Sequence, residues 1–302
     1  MTLAQLRAFL SAYSLRTFTA AAEELDVSQA SVSELVGRLE AELEAPLFVR
    51  GGRQLVPTAA ADELFSHAQR TLAAADDAEQ AIRSLNGLQS GVVSFGVPRN
   101  AGYYGVPDAV LEFHRDHPGV RVRMVGINSN RVARAVLAGE LEAGLVVLPV
   151  DEHGLDVEPL AVDEVHLATM NELPAGTGAT LDDLLGPGLI LYDAESGWED
   201  PTRRQLLRRA HESGRELTAQ VEIEFVDTAL RLVAEGAGAT IVSGSLLRAG
   251  EVPDGVRTYS FEPRFVETLA LIKRKDAPLS LATAAIAEVM RRCIRRVTPG
   301  TD

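Results

Sequence analysis

Residues 18–35 read FTAAAEELDVSQASVSEL, and this run frames the rest of the chain. The hydroxyl of Thr19 can cap a short helix over AAAEEL, with Glu23 and Glu24 early in it, where acids suit the helix dipole. Asp26 and Val27 then make a tight turn, and Ser28 can cap a further helix in which Val32, Leu35, Val36, Leu39 and Leu43 form one buried face. The opposite stripe carries Gln29, Ala30, Ser33, Glu34 and Gly37, small or hydrogen-bonding side chains that can enter a groove.

Working outward, Leu3, Leu6, Phe9, Leu10 and Tyr13 recur at helical spacing and give a preceding amphipathic helix. After Pro46, LFVRGGRQLVPT reads as two short strands around Gly51 and Gly52, a wing. From Ala59 to Leu88 the chain is alanine-rich. Ala61, Leu64, Ala68, Thr71, Ala75, Ala78, Ile82 and Leu85 follow at steps of three and four, the spacing of a coiled-coil seam. A helix with that seam usually pairs with a copy of itself; the alternative is a long helix packed on its own domain. Asn86 and Gly87 end it, and a short linker follows.

Beyond the linker, strands VVSFGV, VRVRMVGI and AGLVVL alternate with helices through Val110 to His117 and Arg131 to Leu141. That order implies βαβ units and a parallel sheet. VEPLAVDEVHLAT and VETLALIKR are later strands about a hundred residues apart, as if the chain left for a second subdomain and returned.

The density of matches across the first sixty residues resembles the LysR-type transcriptional regulators. The matching residues are Phe18-Thr19-Ala20-Ala21-Ala22, Leu25, Val27-Ser28-Gln29, Val32-Ser33, Leu39-Glu40, Leu43, Pro46-Leu47-Phe48, Arg50, Arg53 and Pro57-Thr58. The resemblance implies a helix over 29–38 in the major groove and wing arginines on phosphate or the minor groove. Its DNA-contact set falls on Phe18, Thr19, Ser28, Gln29, Ala30, Ser31, Ser33, Glu34, Arg38, Arg50, Arg53 and Thr58. Chemistry agrees: Gln29 can pair bidentately with adenine, Ser33 can serve base or phosphate, and Arg50 and Arg53 supply fixed charge. Two positions depart from the family. Glu34 stands where a basic residue is usual and would either repel phosphate or accept from a cytosine amino group, and Ala60 stands where glycine is usual.

The resemblance also implies an α/β chain in three parts: a winged helix-turn-helix over 1–58, a linker and dimerisation helix over 59–90, and an effector-binding domain over 91–302. This last part is similar to two-lobed periplasmic binding proteins, with lobe I at 91–161 and 267–302 and lobe II at 162–266. Open α/β sheets bind ligands beyond the carboxyl ends of their strands. Arg99 and Asn100 follow the first strand, and Asn128, Ser129 and Asn130 the second; carry-over of loop positions adds Ser196, Trp198, Asp227 and Thr228 on the opposite wall. Arg99 beside a helix N-terminus would favour an anionic effector such as a carboxylate. Expected partners are therefore double-stranded DNA at an inverted repeat, a small-molecule effector, and further copies of the chain as a dimer or, by resemblance, a tetramer.

Composition limits the alternatives. A chain of 302 residues, 46% hydrophobic and 24% charged, can bury a core of about two domains. No apolar run approaches the ~18 residues that span a bilayer and no basic-then-apolar leader opens the sequence, so the expectation is a cytoplasmic protein with no membrane association. Cys293 is the single cysteine, which rules out an internal disulfide and a multi-cysteine metal site; Lys273 and Lys275, the two lysines, lie in no phosphate loop. His114 and His117 in HRDHP belong to a helix end without further metal ligands, and Gly236-Ala237-Gly238 reads as a helix C-cap turn. No nucleophile elbow or paired carboxylates ask for an enzyme, and no cofactor or metal is expected.

The net charge of −14 means that any DNA contact must be local. Even residues 1–58 set five arginines (Arg7, Arg16, Arg38, Arg50, Arg53) against seven acids, a balance of −2. That balance keeps a second reading open, a metabolite-binding protein that regulates through protein contacts and has lost DNA affinity.

Overall fold

The computed structural model describes residues 1–49, 54–84, 91–275 and 277–298. The chain divides into two units, Met1–Leu85 with Ala138–Glu140, and Asn86–Leu137 with Leu141–Asp302.

In the first unit α1 (Leu3–Leu15), α2 (Phe18–Glu24) and α3 (Gln29–Leu43) precede β1 (Phe48–Val49), β2 (Val56–Pro57) and α4 (Ala59–Ser84). Side chains define each start. Thr2 and Gln5 form a reciprocal capping box on α1. The cap of α2 is Thr17 and not Thr19: Arg16 ends α1 in the left-handed region at φ 61°, so the chain re-enters extended at Thr17, whose Oγ1 accepts from the Ala20 N–H at 3.1 Å. Thr19 already lies inside the helix. Ser28 caps α3 by accepting from the Ser31 N–H at 3.1 Å. Such a cap contributes about 1 kcal/mol.

Leu6, Phe9, Ala12, Ala21, Val32, Val36, Leu39, Leu47 and Phe48 bury together between the three helices and the first wing strand. The apolar face of α3 is shorter than its pattern suggests, since Leu35 is half-buried and Leu43 is 40% exposed beyond the edge of this core. Glu40 Oε1 accepts from the Leu47 and Phe48 N–H groups at 2.7 and 3.1 Å, which fixes where the chain enters β1. β1 and β2 pair antiparallel through Phe48 and Pro57. The wing tip, with Arg50, Gly51, Gly52 and Arg53, lies outside the described residues. On α4, Ala61, Ala68 and Leu72 enter the same core, so the first half of the proposed seam packs on its own unit. Thr71 and Ala78 are exposed; the Ile82 side chain and Leu85 lie outside the described residues.

The second unit runs β3 (Gly91–Val97), α5 (Val106–Asp116), β4 (Val120–Gly126), α6 (Ser129–Ala138), β5 (Ala143–Leu148), β6 (Leu155–Thr169), α7 (Leu181–Leu185), β7 (Ile190–Leu191), α8 (Pro201–Glu212), β8 (Val221–Glu222), α9 (Val226–Ala234), β9 (Thr240–Ser243), α10 (Gly244–Arg248), β10 (Arg257–Ser260), β11 (Val266–Arg274) and α11 (Leu281–Val297). β3 pairs parallel with β4 and β5. The sheet as a whole is mixed and not parallel: β11 lies antiparallel between β5 and β6, and the far end of β6 pairs antiparallel with β9 and β10. The reason is the excursion itself, because β6 carries the chain out and β11 carries it back.

Phe95, Phe113, Leu145, Ile286 and Met290 fill one face of this sheet under α5 and α11, with Cys293 as a buried filler. Val132, Val136, Val146 and Ile272 fill the other under α6. Beyond the two crossing strands a separate core gathers Leu167, Leu184, Leu191, Leu206, Ile241 and Phe261. Each fully buried side chain of this size contributes roughly 1.5–3 kcal/mol. Among the described residues no helix is long and apolar enough to cross a membrane.

Candidate functional site

Two surfaces gather the residues marked out by the sequence. The first is the outer face of α3. With Val32, Val36 and Leu39 fully buried, helical geometry turns Ser28, Gln29, Ala30 and Glu34 to solvent, while Ser31 and Ser33 stand half-exposed at the edges. Arg38, also exposed, donates from Nη2 to Glu34 Oε1 at 2.5 Å one helical turn away. The acid at position 34 therefore faces an arginine of its own helix. Thr19 is exposed on α2, whereas Phe18 stacks edge-on against Phe48 at 6.1 Å and serves the core. Thr58 donates to the Pro46 carbonyl at 2.7 Å and accepts from the Ala61 N–H, tying the chain ahead of β1 to the start of α4. Arg50 and Arg53 lie outside the described residues.

The second surface is a pocket of about 100 Å³ where the loops after β3, β7 and β8 meet the start of α9. Of the residues expected there, Arg99, Asn100 and Asp227 line it; Tyr103, Tyr192, Asp193, Glu224, Phe225 and Val226 complete it. The sequence reading missed those six, although they lie within four residues of positions it had singled out or directly at the end of LILYD. A pattern of Tyr and acid next to strand ends is the signal that could have found them.

Arg99 is not a free cation. Nη1 meets Asp193 at 3.0 Å and Glu224 at 2.6 Å, and Nη2 meets Glu195. Burial works against the charge on Arg99, but the hydrogen bond to Asp193 and the charges of Glu224, Asp193 and Glu195 hold its pKa above the usual value. Burial raises Asp193, and Arg99 partly offsets this. The carboxylate-seeking arginine expected from the sequence is thus already occupied by carboxylates of this chain.

Asn128, Ser129 and Asn130 are not part of the pocket lining. Asn128 Oδ1 accepts from the Asn130 N–H and its Nδ2 donates to Asp200 at 3.0 Å; Asn130 reaches the Glu199 carbonyl; Ser129 accepts from the Val147 N–H at 2.9 Å. These three bolt the end of β4 to the start of α8 and to β5. Ser196 precedes the short turn that carries Trp198, and the buried Arg203 lies 5.4 Å over the Trp198 ring and pairs with Glu222 at 2.9 Å. Thr228 is exposed on α9, one residue past the pocket.

Asn100 of the pocket donates to the Tyr104 hydroxyl at 3.4 Å, and Glu267 on β11 accepts from that hydroxyl and from Thr202 Oγ1 at 2.8 Å. Burial, aided by the charges of Asp163 and Asp200, pushes its pKa up to about 7. Asp200 caps α8 and is pushed up to about 6 by burial and the charge of Asp193. Among the described residues no group of three or more His, Cys, Asp or Glu could hold a metal, and His114 and His117 occupy the end of α5.

Comparison with known proteins matches both units. The helix-turn-helix family described as "Bacterial regulatory helix-turn-helix protein, lysR family" matches residues 3–62, and the "LysR substrate binding domain" matches residues 86–294. The chain is 30% identical over 260 residues to a probable RuBisCO transcriptional regulator of Trichormus variabilis, covering 84% of this chain and 77% of that one. It is 26% identical over 282 residues to the uncharacterized HTH-type transcriptional regulator YbhD of Escherichia coli, covering 93% and 88%. Among solved structures, full-length OxyR from Pseudomonas aeruginosa superposes with a TM-score of 0.72 at 23% identity, covering 100% and 98% of the two chains. Full-length CbnR in complex with its target DNA superposes with a TM-score of 0.65 at 22% identity, covering 97% and 100%.

Proposed function

This chain belongs to the LysR family of bacterial helix-turn-helix transcriptional regulators, and from that premise we propose that α3 reads double-stranded DNA while the pocket after β3 receives the effector. It is a regulator with a helix-turn-helix module and an effector-binding domain, in a family of regulators and not of enzymes.

One observation carries the DNA assignment. The N-capped start of α3 holds its apolar face in the core and leaves Gln29 and Ala30 exposed, and the N-terminal residues of a recognition helix are those that meet base edges. Gln29 suits adenine, Ser33 base or phosphate, and Arg50 and Arg53 the backbone beside the wing. CbnR, similar in fold, was crystallised with its target DNA. In our reading residues 1–58 form the DNA-binding part, 59–90 the self-pairing helix, and 91–302 the effector domain, with lobes at 91–161 with 267–302 and at 162–266. Pairing through 59–90 sets two recognition helices about 34 Å apart, so the site is an inverted repeat; two such dimers make a tetramer. A protein acting on chromosomal DNA works in the cytoplasm.

Selection from a random duplex library, followed by salt titration of the enriched site, tests this. The wild type should enrich an inverted repeat with log affinity falling steeply against log salt. Gln29→Ala should relax one base position per half-site at a cost of ~1–3 kcal/mol, while Arg53→Ala weakens all sites alike. No enrichment, or an affinity indifferent to salt, would overturn the assignment.

A further inference from the structure

The pocket that we assign to the effector carries the wrong charge for a carboxylate. Asp193, Glu224 and Asp227 line it against the single guanidinium of Arg99, leaving a net charge of −2. Glu195, on the other nitrogen of Arg99, is itself matched by Arg131. The Arg99 side chain is only 14% exposed within its three ion pairs. An incoming carboxylate would have to displace partners that are already desolvated and held in place. The start of α9 offers an anion nothing either, because Asp227 stands in its first turn and answers the positive end of the helix.

What remains unanswered is negative charge and neutral oxygen. Asp227 is exposed and makes no ion pair among the described residues. Tyr103 and Tyr192 both line the pocket, and neither hydroxyl has a hydrogen-bond partner among the described residues. Burial first, and then nearby carboxylates, raise the pKa of both phenols, so they stay protonated and their oxygens can accept from a donor. Phe225, 60% exposed at the lip, offers an apolar ring beside this acidic floor. Carboxylates with aromatic faces are the combination that holds an alkylammonium group, through charge and through the ring quadrupole. The buried Arg203 does not line the pocket; its Nη1 meets Glu222 at 2.9 Å.

We propose that this pocket takes a small organic cation, an ammonium carried on an apolar body, with Asp227 and Glu224 meeting the charge and Tyr103, Tyr192 and Phe225 covering the rest. The assignment rests on the reading of this pocket as the effector site.

Calorimetry and thermal shift on the full chain test it with benzylamine and benzyltrimethylammonium against benzoate, at low and high salt. The amines should bind saturably and more weakly at high salt, and benzoate should not bind. Asp227→Asn should weaken amine binding about tenfold or more, and Tyr192→Phe, which removes only the hydroxyl, should weaken benzylamine more than benzyltrimethylammonium, which has no hydrogen to donate. Saturable benzoate binding that is lost in Arg99→Ala, with no amine response, would overturn the cation and leave the pocket as the effector site. Amine binding untouched by Asp227→Asn and Tyr192→Phe would overturn the pocket itself. No amine response at all counts against the cation.

Discussion

Glu34 and Arg38 stand one turn apart on the exposed face of α3, and Arg38 Nη2 donates to Glu34 Oε1 at 2.5 Å. An acid on a helix that must approach phosphate is thereby balanced within its own helix. Both side chains remain more than 60% exposed, so the pair itself adds no more than about 0.5 kcal/mol to stability.

Glu34→Gln should therefore leave folding almost unchanged and alter DNA binding instead. With Arg38 released towards phosphate, affinity should rise and the slope of log affinity against log salt should steepen by about 1. Fluorescence anisotropy on an enriched site across a salt series measures this. If slope and affinity both stay at wild-type values, Arg38 does not reach the backbone and the pair is solvent decoration.

Glu267 gives the chain a signed dependence on pH. Its carboxyl ionises near 4.5 when unfolded and at about 7 in the fold, because it is buried between Tyr104, Thr202 and the charges of Asp163 and Asp200. Between those values the native state retains a proton that the unfolded chain has released. The contribution of this group is thus greatest below pH ~4.5 and declines as pH rises to ~7, by an amount on the order of 2–3 kcal/mol. Asp200, raised from 3.8 to about 6, acts in the same direction at lower pH. Urea unfolding of wild type and Glu267→Gln at pH 5 and pH 7.5 should show the variant gaining on the wild type as pH rises. A difference that is the same at both pH values would remove Glu267 as the source.

Close packing of α6 on the sheet leaves no room for a side chain at two neighbouring glycines. A Cβ on Gly144 would lie 2.3 Å from Val132 Cγ1, and one on Gly96, its partner across β3 and β5, 2.6 Å from the same atom. Gly144→Ala should cost ~1–3 kcal/mol by overpacking. Adding Val132→Ala removes the clashing methyl groups, so the double variant should lose less than the sum of the single ones by at least ~0.5 kcal/mol. Thermal unfolding of the four proteins of this cycle decides it, and simple additivity would show that α6 moves away instead.

How far the chain was legible depended on whether the signal was local. The three N-terminal helices, Ser28 as a cap and the long crossing strands follow from short-range periodicity and capping chemistry. Thr17 escaped because its role depends on Arg16 turning left-handed just before it, a backbone event with no marker in residue type. The pairing of Glu34 with Arg38 is legible as an i, i+4 spacing. The mixed sheet could not be read from alternating strands and helices, since the direction of β11 depends on where the excursion after β6 returns.

By itself, then, the sequence determined the local elements and the family, because capping, periodicity and turn chemistry act over a few residues. Tertiary structure alone decided what Arg99 does. Its partners Asp193, Glu195 and Glu224 lie about a hundred residues further along the chain, and only folding brings them to its guanidinium. Charge acts through space, so a cation that looked available in sequence became the neutralised wall of an acidic pocket.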